Sequence, residues 1–289
     1  MRNLATLLLL AAASSLAPAA TIFYTGNGTT EQNTPGASGP AFGFFADLNR
    51  PSVDGIGTYS RLGIASAGGL GAYMAADNAA DANMLCDPYC TSGDSMVMIA
   101  GLYTDTLYFS GSTPLTGTAS LQLSGSLLGN VGGPDDSWNQ AIVVFLTING
   151  TSMFGQFDRS LQSGSVVEHS YGMLSGLTGS SFSNQIITSP SFQIQPGLNT
   201  LRLELWVAAG TSVRSPGPTT PGVSASSSQA LFHHTLTFAQ GGAVFSGLTP
   251  GATIDAPEIG IVNNQFVPTP EPATWLMLGA GLLMGVRRR

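Results

Sequence analysis

Apolar residues recur at every second position in several short runs, and glycine, proline, asparagine and serine separate those runs. In residues 199–209, Leu201, Leu203, Leu205 and Val207 fall on one side of an extended chain, while Arg202, Glu204 and Trp206 fall on the other. That is the pattern of a half-buried strand. Leu121 and Leu123 alternate with Ser120, Gln122 and Ser124 in the same way. Residues 140–148 form a denser apolar run suited to a central strand. Asn149-Gly150 then supplies the two positive-φ residues of a type I′ hairpin, so 151–157 should return beside it. Further strand candidates are 57–67, 96–109, 186–195, 231–238 and 252–262.

No stretch between the two ends of the chain shows a helical period with caps. Roughly eight to twelve strands over this length predict an all-β fold, a two-sheet β-sandwich of which the jelly roll is one form. Residues 74–84 (MAADNAADANM) are alanine-rich and are expected to be a short helix or a long loop. Residues 210–230, rich in Ser, Thr, Pro and Gly and without periodicity, read as a mobile surface loop, and 31–40 as a shorter one. No repeat of solenoid or propeller period is present.

The two ends differ from this middle. Arg2, the apolar run 4–13 and Ala17-Pro18-Ala19 have the charged, apolar and small-residue order of a signal peptide, with cleavage expected after Ala19. At the other end Pro268, Pro270 and Pro272 alternate, and each proline fixes its own φ and keeps its predecessor out of the helical region. A stiff, extended strap results. Residues 273–286 follow without a charge, and Arg287, Arg288 and Arg289 end the sequence. As a helix this run would cover about 21 Å, short of the roughly 30 Å hydrocarbon core. The terminal arginines would have to snorkel and the bilayer thin locally, and their charge favours the cytoplasmic side, leaving the body outside. The expected organisation is a signal peptide at 1–19, a secreted β-sandwich domain at 20–266 and a tail at 267–289.

Charge narrows the partners. Only 9% of residues are charged and lysine is absent. Without the ends, Arg50, Arg61, Arg159, Arg202 and Arg214 face fifteen carboxylates, a net charge of −10. Such a body repels phosphate backbones, which excludes nucleic acid, and does not favour anionic lipid.

Candidate chemistry is sparse. Cys86 and Cys90 bracket Asp-Pro-Tyr, and in an oxidising compartment they are expected to close a small disulfide loop. A redox centre would more usually have two intervening residues, and two thiols without nearby histidines leave a zinc set incomplete. His169 stands alone, while His233 and His234 are adjacent in an expected strand, so their side chains point to opposite faces and cannot share one ion. No nucleophile elbow is recognisable, and no catalytic residue or metal site is assigned. Asp135 and Asp136 follow Gly132-Gly133-Pro134, and Trp138 comes two residues later. Paired carboxylates in a loop can hold Ca²⁺ with backbone carbonyls, and a neighbouring indole can stack on a sugar. Gly-Pro-Asp-Asp is equally ordinary turn chemistry. Beyond this Ca²⁺ candidate no cofactor is expected.

Pro270-Glu271-Pro272, the short apolar run containing Trp275, and the three terminal arginines resemble the PEP-CTERM sorting signal in every part and in the same order. Gly281 and Gly285 within the run would let a partner helix approach closely, although glycine is also simply frequent in membrane helices. The resemblance covers only the tail. It implies export by the Sec translocon and signal peptidase, transient anchoring in the inner membrane, and processing by an exosortase-like transpeptidase in an exopolysaccharide-producing Gram-negative bacterium. The expectation is therefore a non-enzymatic protein of the cell surface or extracellular matrix. A carbohydrate-binding module built around Trp138 is the alternative, with exopolysaccharide as a partner, and a secreted hydrolase is a third reading.

Overall fold

The computed structural model describes residues 20–26, 29–31, 42–51, 57–66, 69–81, 90–92, 97–213 and 223–267. The signal peptide, Cys86, and the tail with Pro270, Glu271, Pro272, Trp275, Gly281, Gly285, Arg287, Arg288 and Arg289 lie outside the described residues. In chain order the strands are Ala20–Gly26 (β1), Thr29–Glu31 (β2), Phe42–Pro51 (β3), Gly57–Ser66 (β4), Gly69–Asp81 (β5), Cys90–Ser92 (β6), Val97–Phe109 (β7), Leu115–Gly117 (β8), Ser120–Val131 (β9) and Ser137–Ile148 (β10). They continue with Thr151–Gln162 (β11), Ser165–Gly172 (β12), Ser181–Thr188 (β13), Phe192–Ile194 (β14), Gly197–Val213 (β15), Val223–Phe238 (β16), Ile254–Asp255 (β17), Ile261–Val262 (β18) and Gln265–Phe266 (β19). Among the described residues there is one 3-10 turn, Pro257–Ile259, and no helix long and apolar enough to cross a membrane.

The fold is all-β and its ladders are antiparallel. The larger sheet runs β12-β11-β10-β15-β7-β1-β2, with β6 beside the far end of β15 and β17 beside the end of β7. The smaller sheet runs β13-β9-β16-β5-β4-β3. Alternation decides which side of each strand faces inward. In β10 Ile142, Val144, Leu146 and Ile148 are buried, and in β15 Leu201, Leu203, Leu205 and Val207 are. They join Leu121, Leu123, Leu127 and Phe232 of the smaller sheet in one core. Phe157 of β11 meets Phe182 of β13 edge to face at 5.5 Å, tying the two sheets at their outer border in a sandwich-like arrangement. Each such leucine or phenylalanine contributes about 1.5–3 kcal/mol by leaving water.

Turn chemistry sets the register. Asn149 and Gly150 both have positive φ (49° and 78°), and Ile148 pairs with Thr151 across the two-residue turn. Ser163-Gly164 does the same between β11 and β12, and Asn263-Asn264 between β18 and β19.

Four expectations need correction. Residues 74–81 are neither helix nor loop but the end of β5, held between β4 and β16. The strand is central and buried, so Leu70, Ala72 and Met74 pack inward, and pairing on both sides overrides alanine's helix preference. The proposed mobile loop at 210–230 is strand at both ends: Gly210 to Val213 complete β15, and Val223 to Ala230 begin β16. Ser226 and Ser228 are buried there, and the Ser228 hydroxyl donates to the Asn139 carbonyl at 2.9 Å. Residues 214–222 lie outside the described residues. The single runs expected at 186–195 and 252–262 are both broken: the first is the end of β13 and the separate β14, and the second is β17, a 3-10 turn and β18.

Partial burial pushes the Asp77 carboxyl on β5 above its ordinary range, and desolvation followed by the charge of Asp77 raises the Tyr73 phenol. A carboxyl raised in the folded state adds stability below its unfolded pKa and loses it as pH rises through the folded one. Asp77→Asn should therefore raise the urea midpoint modestly at pH 7 and leave it unchanged at about pH 3. A lower midpoint at pH 7 would contradict this.

Candidate functional site

The sequence directs attention to the turn before β10. Asp136 is buried, its Oδ2 accepts the Gly133 N–H at 2.9 Å, and its own N–H reaches the Gly133 carbonyl at 3.3 Å. This carboxylate closes its own turn. Trp138 is only 4% exposed. The parity of β10 carries its indole inward, where a Cβ on Gly129 of the facing sheet would lie 2.4 Å from indole Cδ2. The Arg159 guanidinium carbon lies over the same ring, 4.9 Å from its centroid. Arg159 Nε donates to Glu168 Oε1 at 3.0 Å, and Glu168 Oε2 accepts the Gly179 N–H at 2.9 Å. Trp138 is thus a mostly buried packing residue in contact with a glycine backbone and a paired arginine, at the edge of a cleft it helps to line.

The cleft, at the same end of the sheet, has a volume of about 420 Å³ and is lined among others by Asp135, Asn139, Ser160, Gln162, Thr211 and Ser212. Its floor is made where Ser137, Trp138 and Asn139 pair with Ser212, Thr211 and Gly210. Gln162 Nε2 donates to Ser160 Oγ at 3.2 Å. Thr211, 1% exposed, has a hydroxyl with no hydrogen-bond partner among the described residues. A buried hydroxyl without a partner costs about 1–3 kcal/mol unless water or a ligand meets it.

Along the strands from the cleft, the outward side of the larger sheet carries aromatics. Trp206 lies opposite Val143 and Ile99, and Phe145 lies between Glu204 and Phe154. Ring centroids are 5.0 Å apart for Phe145 and Trp206 and 6.2 Å for Phe145 and Phe154. Phe154 and Tyr171 are each 50% exposed. Tyr171 stacks on His169 at 6.2 Å, and His169 pairs in register with Asp158. Glu204 is engaged by Arg202, and Asp158 accepts from Gln156 at 2.7 Å. Sequence reading put Trp206 on this side but missed Phe145 and Phe154; aromatic residues at the outward parity of neighbouring strands were the available signal.

The remaining candidates stay apart. His233 and His234 lie on β16 where its register with both neighbours shifts. Cys90 opens β6 opposite Val213. Among the described residues no group of three His, Cys, Asp or Glu side chains is placed to hold a metal ion. Of the two carboxylates expected as Ca²⁺ ligands, both line the cleft, and Asp136 Oδ2 is engaged by the Gly133 N–H.

No family model matches the chain, and no curated protein matches it. A structure of infectious bursal disease virus Gx strain aligns at 13% identity over 93% of this chain and 68% of that one, with a TM-score of 0.11, a likeness that carries no argument.

Proposed function

We propose that this chain is an exported protein of a Gram-negative cell surface or exopolysaccharide matrix, with a structural or adhesive rather than enzymatic role. Sec delivery ends with cleavage after Ala19, and an exosortase-like enzyme recognises Pro270-Glu271-Pro272 at the membrane. The observation that carries this reading is the three-part order of the tail: a proline strap, an apolar run too short to span comfortably, and Arg287, Arg288 and Arg289. A lysine-free, acidic two-sheet body suits release to the outside, where charge limits aggregation. In that compartment Cys86 and Cys90 close a short disulfide loop ahead of β6, shaping the border of the larger sheet.

Replacing Pro270, Glu271 and Pro272 by alanine should leave a tail-bearing precursor in the inner-membrane fraction, read by fractionation and by mass spectrometry of both protein ends. Normal maturation of that variant would overturn the proposal. An unprocessed N-terminus in the native protein would overturn it equally.

A further inference from the structure

We propose that the outward side of the larger sheet is a binding site for an extended, uncharged polysaccharide lying along β10 and β15. This deepens the matrix reading and rests on it only in placing the face outside the cell. Asn139 in the cleft and Phe145 at the aromatic cluster lie on one side of one strand, six residues and so about 20 Å apart. Between them Ala141 pairs with Ala208, and two methyl side chains keep that part of the strip low. The face is therefore a trough with hydrogen-bonding groups at one end and rings at the other.

The chemistry of the two ends selects the ligand. Trp206, Phe145 and Phe154 form a contiguous series across β15, β10 and β11, with Phe154 half exposed and the other two partly buried, and aromatic clusters that reach the surface mark contact sites. Pyranose rings present C–H faces to such rings and hydroxyls at their edges. Asn139, Ser160, Gln162 and Ser212 share the outward parity of their strands and bring both donors and acceptors to the cleft. Charge excludes the acidic alternatives. Arg202 is the one cation among these outward residues and is engaged by Glu204, whereas Asp135 and Asp158 add negative charge. An anionic polymer, or a second copy of this acidic chain, would meet repulsion that a neutral glycan does not.

The test is affinity electrophoresis of the whole chain through gels containing a soluble β-glucan, galactomannan or dextran, with alginate as the anionic control. At least one neutral polymer should retard the protein, and retardation should persist when salt is raised to about 0.5 M. Phe154→Ala, at an exposed position, and Asn139→Ala, at the cleft, should each weaken binding, with about a tenfold loss for Phe154→Ala. Unchanged melting curves would confirm that both variants fold. Retardation by none of the neutral polymers, by alginate alone, or equally for both variants and the native chain overturns the proposal. So does self-association that Phe154→Ala abolishes. The purified chain is used throughout, so these outcomes are separate from the fate of the sorting motif in cells.

Discussion

Trp138→Ala is expected to destabilise the protein by about 3–5 kcal/mol, the range for deleting a buried aromatic. The indole packs against Gly129 of one sheet and Arg159 of the other, so its removal opens a cavity at the end of the sandwich. It also strips the Arg159 guanidinium of its aromatic contact, worth about 0.5–2 kcal/mol when partly desolvated, and lets water reach the Arg159–Glu168 pair. In a body of this size such a loss corresponds to a fall in melting temperature of roughly 6–20 °C. Trp138→Phe should recover part of it. A loss below about 1 kcal/mol would mean that the indole is not the inter-sheet contact described here. The contrast with Phe154→Ala is informative, because that ring is half exposed and its removal should change stability by only about 0.5 kcal/mol. One aromatic supports the fold and the other is free to serve a ligand.

Local signals were legible wherever local physics decides the structure. Asn149-Gly150 demands two positive φ angles, and the apolar parity on both sides of it fixed β10 and β11 before any tertiary contact was known. The alanines of β5 misled because their propensity is helical, while their fate is set by β4 and β16, which lie far away in the chain or across a turn. Ser228 misled in the same direction: polar composition suggests solvent, yet a hydroxyl small enough to bond a neighbouring carbonyl can be buried in a ladder. Trp138 shares the parity of Ile142 and Val144, so its inward direction was written in the strand. What covers it was not, since only the topology brings Gly129 opposite. The aromatic face required more still: the hairpin register alone sets Phe145 opposite Phe154, but Trp206 joins them only because β15 lies beside β10.

A second large effect is expected at Asn199, where polar satisfaction rather than packing is at stake. The residue is 2% exposed and marks the point where the register between β15 and β7 shifts. Its Oδ1 accepts the Gln195 N–H at 2.9 Å and the Asn149 side-chain amide at 2.7 Å. Its Nδ2 donates to the Gln195 carbonyl at 2.8 Å and the Gly197 carbonyl at 3.0 Å. Asn149 in turn accepts the Thr200 N–H at 3.0 Å, so one carboxamide joins the turn before β15 to the turn between β10 and β11. Asn199→Ala removes these partners at once and leaves backbone groups with restricted access to water, at a cost of about 2–4 kcal/mol. Asn199→Asp keeps the acceptor but turns a second oxygen toward two carbonyls, which favours the protonated acid and raises its folded-state pKa. Its deficit should therefore be smallest near pH 3 and grow as pH rises through that pKa. Urea unfolding at several pH values, with unchanged slopes, measures both variants. If Asn199→Ala stays within about 0.5 kcal/mol of the native chain, water replaces the carboxamide at no cost and the junction is not held as described.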